Sequence, residues 1–149
     1  MNSPTNKKLV GVVAFALGEA YAVDDAGNVL RYDGTGWTIS STIQGLGTPT
    51  AIGGSDAENL FVVTSTGRVV HVSHGASPAS VASASSGLSA IVRAAPGRVI
   101  AVGDLLHYDG VSWATMPSPA ASEIDGIAGA PTGSVFAFRR GPSIWRYDP

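Results

Sequence analysis

Four basic side chains hold one place in a recurring pattern. Arg31, His71, His107 and Arg146 each stand immediately before Tyr32, Val72, Tyr108 and Tyr147. A cation repeated in this way has two chemical uses. Set out by the symmetry of a repeat, the four would make a ring of positive charge that reads an anionic ligand. Alternatively, each would meet a carboxylate or a backbone carbonyl between packed sheets, an arginine binding an aspartate through two nitrogens. The second use is favoured, because a basic group taken out of water needs a partner. Trp37 and Trp113 each follow the aromatic by five residues. They can be stacking platforms for a sugar ring or caps on a sheet core, and their recurrence favours the caps. These six residues are the candidate ligand-binding set.

Other chemistries find no constellation. Asp33, Asp109 and Asp148 follow the aromatic, with glycine next in two cases. There a carboxylate accepts backbone N–H groups of a turn. Asp24-Asp25-Ala26-Gly27-Asn28 comes nearest to a calcium loop but lacks its twelve-residue spacing and terminal glutamate. His71 and His74 fall on opposite faces of a strand and do not form a metal pair. Gly53-Gly54-Ser55-Asp56-Ala57 has a nucleophile-like look, but a strand follows where a nucleophile elbow needs a helix. No Ser/His/Asp set can be ordered, and the chain has no cysteine. No catalytic residue, metal ligand or cofactor is expected.

The elements that hold these residues form a repeat. Leu30 to Trp37 returns as Leu106 to Trp113, cut short as Trp145 to Pro149, and worn as Val70 to Ser73. Three anchors keep register through four copies. Val12, Ile52, Ile91 and Ile127 are followed nine residues later by Tyr21, Phe61, Ile100 and Phe136. The third anchor is Tyr32, Val72, Tyr108 or Tyr147. It comes eleven residues further on, or eight in the third copy. Around the second anchor, bulky and small apolar residues alternate, which is the period of a strand. Turn residues follow: Asp25-Ala26-Gly27-Asn28, Ser65-Thr66-Gly67, Gly103-Asp104 and Arg140-Gly141-Pro142. Each copy reads as a four-stranded antiparallel meander, within the length range of a propeller blade.

The alternation also predicts how sheets stack. Ala22, Val62, Ala101 and Ala137 leave one face small, so the bulky face of a neighbouring sheet can pack into it. The third-anchor aromatics are expected in the core, as is Trp145, which aligns with Leu30, Val70 and Leu106.

The expected fold is all-β and propeller-type, with four four-stranded blades in one domain over residues 1–149. The blades run over about residues 9–47, 48–87, 88–122 and 123–149, the last incomplete. Ser73 to Ser89, poor in large apolar residues, reads as a degraded outer strand and loop, with a dividing linker as the alternative. Met1 to Asn6 can add only a short stub. Three assemblies are open: a small four-bladed ring, half of a larger ring made by two chains, or a fragment of a longer parent.

Charged residues make up only 13% of the 149 residues, and the net charge is −2 with no basic stripe. No nucleic-acid partner is expected. Lys7-Lys8, the run Leu9 to Leu17 and Ala20-Tyr21-Ala22 resemble a secretory leader. That segment is in phase with the repeat, however, and is too short to span a membrane as a helix.

The chain resembles short-repeat β-propellers of the kelch and BNR-like kind. Gly53-Gly54, Tyr108-Asp109, Trp113 and Met116-Pro117 stand in the order of kelch-type blades. Val99-Ile100-Ala101-Val102-Gly103 and Leu106-His107-Tyr108-Asp109-Gly110 are similar to repeats of secreted or surface bacterial propellers. The resemblance implies a binding or scaffolding surface and a secreted or surface location. The expected role is a non-catalytic module for protein interaction or self-assembly, as a homo-oligomer of which a dimer completing a larger ring is one form, with a protein or glycan as ligand. The alternatives are a carbohydrate-binding propeller and an accessory piece of a larger propeller protein.

Overall fold

The computed structural model describes residues 3–73, 75–116, 124–129, 133–138 and 142–147. His74, Pro117, Arg140, Gly141, Asp148 and Pro149 lie outside them, so the expectations placed on these residues go no further.

Fifteen strands of the described residues form four antiparallel sheets, each in chain order. The first holds β1 (Leu9–Ala16), β2 (Glu19–Asp24), β3 (Asn28–Tyr32) and β4 (Trp37–Thr42). The second holds β5 (Pro49–Gly54), β6 (Leu60–Thr64), β7 (Arg68–Val72) and β8 (Ala79–Ser83). The third holds β9 (Ala90–Ala95), β10 (Arg98–Val102), β11 (Leu106–Tyr108) and β12 (Trp113–Thr115). The fourth has three strands: β13 (Gly126–Gly129), β14 (Val135–Phe138) and β15 (Ile144–Tyr147). The serine-rich stretch after Val72 supplies β8 as the outer strand of its sheet. The apolar segment near the N-terminus is β1, hydrogen-bonded along β2. Among the described residues, no helix is long and apolar enough to cross a membrane.

Turn chemistry closes the hairpins. The Asp33 carboxylate accepts the N–H groups of Thr35 and Gly36 at 2.9 and 3.0 Å. Asp109 accepts those of Val111 and Ser112, both at 2.8 Å. Gly34 and Gly110 follow at φ of 94° and 101°, a region that favours glycine. A second bond recurs where each outer strand ends against the central hairpin. Ile43, Ala84 and Met116 donate their N–H to Gly27, Gly67 and Leu105, each at 2.8 Å.

The register is the same in all four sheets. Val13, Gly53, Val92 and Ala128 lie opposite Tyr21, Phe61, Ile100 and Phe136. These in turn lie opposite Arg31, His71, His107 and Arg146. The bulky face of each sheet packs on the small face of the next. Tyr21, Val23 and Val29 meet Leu60, Val62 and Val70. Phe61, Val63 and Val69 meet Ile91, Ala101 and Leu106. Ala94 and Ile100 meet Val135, with Ile127 and Tyr147 alongside. The innermost strands pack in the order β1, β5, β9, β13, and β13 makes no comparable contact with β1 among the described residues. One face of the first sheet and one of the fourth are therefore uncovered.

That open row accounts for one departure from the sequence reading, and a second stands apart from it. Ile52 and Ile91 are buried, yet Val12 at the same repeat position is 69% exposed, because no sheet covers it. Trp145 is half-buried beside the cleft between the third and fourth sheets, not sealed like Leu30, Val70 and Leu106. The third-anchor tyrosines also differ from expectation: Tyr32, Tyr108 and Tyr147 are only half-buried. A tyrosine hydroxyl seeks a polar partner at the core's edge, and those of Tyr32 and Tyr108 donate to the carbonyls of Gly34 and Gly110.

The double glycine has a packing reason. A Cβ on Gly53 would lie 3.1 Å from both the Ile91 carbonyl oxygen and its Cγ2, where β5 crosses β9. Gly53→Val is expected to destabilise the fold by about 1–3 kcal/mol through overpacking. The urea midpoint checks this, and Gly53→Ala should lose less.

Candidate functional site

The four basic side chains share a ladder position but not a site. Each lies on the bulky face of its own sheet, so each occupies a separate layer. Arg31 faces the second sheet, His71 the third and His107 the fourth, while Arg146 is exposed on the uncovered face of the fourth. The structure does not bring them to one point.

Their partners follow from these layers. Arg31 Nη2 approaches Glu19 Oε1 at 3.7 Å, and the Tyr21 hydroxyl donates to the same oxygen at 3.3 Å. The expected two-point pair with an aspartate does not form, because Asp33 is committed to its own turn and the Thr35 hydroxyl. Burial raises the Tyr21 pKa, the Glu19 charge adds to this, and Arg31 opposes it. His71 Nε2 meets the Glu58 carbonyl oxygen at 2.6 Å, which makes it the donor. Its ring lies 5.2 Å from that of Phe61. Burial lowers the His107 pKa; the Arg98 charge adds to this and Asp109 opposes it. His107 Nε2 is buried without a hydrogen-bond partner among the described residues.

The two tryptophans separate. Trp113 seals the layer between the second and third sheets, its ring 5.1 Å from Phe61 and perpendicular to it at 90°. Trp37 holds the equivalent place beside Tyr32 on the uncovered face of the first sheet.

One cleft carries unmet polar chemistry. Between the first two sheets, a cavity of about 240 Å³ is lined by Arg31, Thr38, Ser41, Leu60 and Val72 among others. Arg31 Nε and Ser41 Oγ are both buried without a hydrogen-bond partner among the described residues. A buried donor without an acceptor is costly, so an incoming acceptor gains at this place. Sequence reasoning reached Arg31 but missed Ser41. A serine on a strand carries no sign that a neighbouring sheet will leave it unpaired.

Three further aspartates, which the sequence places only in turns or weak motif matches, organise the loops. Asp24 accepts from Ala26 and Asn28 N–H groups, the Asn28 amide and the Thr5 hydroxyl. Asp56 gathers the Glu58 and Asn59 N–H groups, the Asn59 amide and the Ser55 hydroxyl. Asp104 takes the N–H and hydroxyl groups of Ser85 and Ser86, tying the second sheet to the third and holding its pKa at about 2. Among the described residues, no group of three His, Asp or Glu could hold a metal ion.

Repeated four-stranded antiparallel sheets, stacked bulky face on small face, define a propeller-type fold whose last blade is incomplete. No protein-family model matches the chain, and no curated protein matches it. Solved structures do. YCF48 bound to D1 peptide is 20% identical with a TM-score of 0.66 over 95% of this chain, which spans 50% of that one. The computationally designed Ika4 protein is 13% identical with a TM-score of 0.71, and 97% of this chain covers 92% of it. A GH74 xyloglucanase from Xanthomonas campestris is 16% identical with a TM-score of 0.65, matched by 95% of this chain over 29% of its own length. The likeness is one of fold, and it reaches both a peptide-bound protein and an enzyme.

Proposed function

We propose that this chain is a non-catalytic propeller module of the kelch or BNR-like kind that recognises a protein segment through the cleft between its first two blades. The carrying observation is the pair of buried, unpartnered groups there, Arg31 Nε and Ser41 Oγ. A peptide carbonyl oxygen is a neutral acceptor that suits both, and the nearby Glu19 carboxylate disfavours a free anion. Leu60 and Val72 supply an apolar wall for a side chain. The likeness to a propeller bound to a peptide supports this reading.

The test is a peptide display library panned against the chain, followed by titration of the retained sequences. Arg31→Gln is expected to weaken binding about tenfold, the worth of one good hydrogen bond, with an unchanged circular dichroism spectrum. Equal binding by Arg31→Gln, or no retained peptide, would sink the reading.

Trp37 favours a second reading. Its ring lies 5.5 Å from that of Tyr32 on an uncovered face, an arrangement on which a sugar can stack. A glycan array whose hits disappear in Trp37→Ala would support that lectin-like role over the peptide role. The half-length match to the YCF48 chain supports a third placement, as a piece of a larger propeller protein.

A further inference from the structure

We propose that two copies of this chain close one ring, the uncovered face of the fourth sheet in each copy packing on the uncovered face of the first sheet in the other. The chain itself supplies the pattern for this contact. Where the second sheet meets the third, Phe61 lies 5.0 Å from Tyr108 at 62° and 5.1 Å from Trp113 at 90°. Tyr108 and Trp113 form the receiving socket, 5.4 Å apart and inclined at 32°. The first sheet builds the same socket from Tyr32 and Trp37, 5.5 Å apart and inclined at 38°, but no other aromatic ring of the described residues fills it. The fourth sheet carries the matching insert. Phe136, Phe138 and Ile144 hold the ladder positions of Phe61, Val63 and Val69. In the second sheet those residues are at most 2% exposed, whereas in the fourth they are 43%, 52% and 73% exposed.

Insert and socket are thus present in one chain, on sheets that do not pack together. Phe136 of a second copy fits the Tyr32–Trp37 socket as Phe61 fits Tyr108 and Trp113. The contact joins unlike faces, so two chains related by a twofold axis make it twice and leave neither face open. Apolar side chains otherwise held in water supply the driving force. The cleft at Arg31 lies in another layer, so this inference does not depend on the peptide reading.

Light scattering after size exclusion, at tens of micromolar chain, tests it. The expected mass is twice the chain's 15.1 kDa. Phe136→Asp and Trp37→Asp should each give the mass of one chain. Both sites are at least partly exposed, so a retained circular dichroism spectrum and cooperative melt are expected. Val81→Asp, on an exposed outer strand away from either face, should leave the two-chain mass unchanged. A one-chain mass for the unaltered protein, or a growing series of larger masses, overturns the proposal. So does a two-chain mass that survives Phe136→Asp, which would mean that two first-sheet faces pair with each other. Dissociation by Val81→Asp would move the contact to the outer strands and overturn it as well.

Discussion

Phe61→Ala is expected to lower the unfolding free energy by about 3–5 kcal/mol, the range for truncating a buried aromatic. Phe61 is 2% exposed and is enclosed by the rings of His71, Tyr108 and Trp113 at 5.0 to 5.2 Å. It is the point at which the second sheet grips the third. Truncation removes apolar burial and leaves a void walled by large rings. These rings cannot collapse freely, because Tyr108 is held to the Gly110 carbonyl and His71 to that of Glu58. Edge-to-face contacts add about 0.5–1.5 kcal/mol beyond buried area. The check is a shift of the urea midpoint with an unchanged slope. Phe136→Ala is the internal control, being the same residue type at the same ladder position but 43% exposed. Measured in dilute solution, it should cost much less. Equal losses at the two sites would refute stacking of sheets as the main source of stability.

The same comparison explains what the sequence could and could not tell. The ladder is legible because a strand's period is two and the anchors keep their spacing, which makes Phe61 and Phe136 equivalents on sequence alone. Stacking of bulky on small faces was legible from Ala22, Val62, Ala101 and Ala137 for the same reason. Which equivalents end up covered is not a local property. Val12 and Ile91 read alike, yet one meets a neighbouring sheet and the other meets water. The site suffered in the same way. Arg31 and His107 were picked out by repetition, but their polar partners come from other strands and loops. Ser41 became notable only because the second sheet covers it. Tyr108 read as a sealed anchor because sequence spacing records the ring and not the reach of its hydroxyl to Gly110.

The loop aspartates give the second large effect. Asp24→Ala is expected to cost about 2–4 kcal/mol at neutral pH, since it strips a charged acceptor from several donors at once. Asp24 is fully buried, and its carboxylate joins the Asn28 side chain, the Ala26 and Asn28 N–H groups and Thr5. Burial alone would raise its pKa, but the hydrogen bonds from Asn28, Thr5 and Ala26 outweigh it and the net shift is downward. A carboxylate depressed in the folded state stabilises above its unfolded pKa of about 3.9, and that contribution is lost as pH falls through the folded value. Asp33 and Asp104 are held at about 2, with the same sign. Acid unfolding should therefore develop below about pH 4 and deepen towards pH 2. Asp24→Ala should be less stable at pH 7 and should lose less on acidification, because its proton-linked share is already gone. Asp24→Asn keeps one acceptor and turns an amide towards donors, so it should fall between the two. If Asp24→Ala matched the unaltered chain at pH 7 and ran parallel to it down to pH 2, the carboxylate would be a passenger and the hairpin between β2 and β3 would be held by its backbone alone.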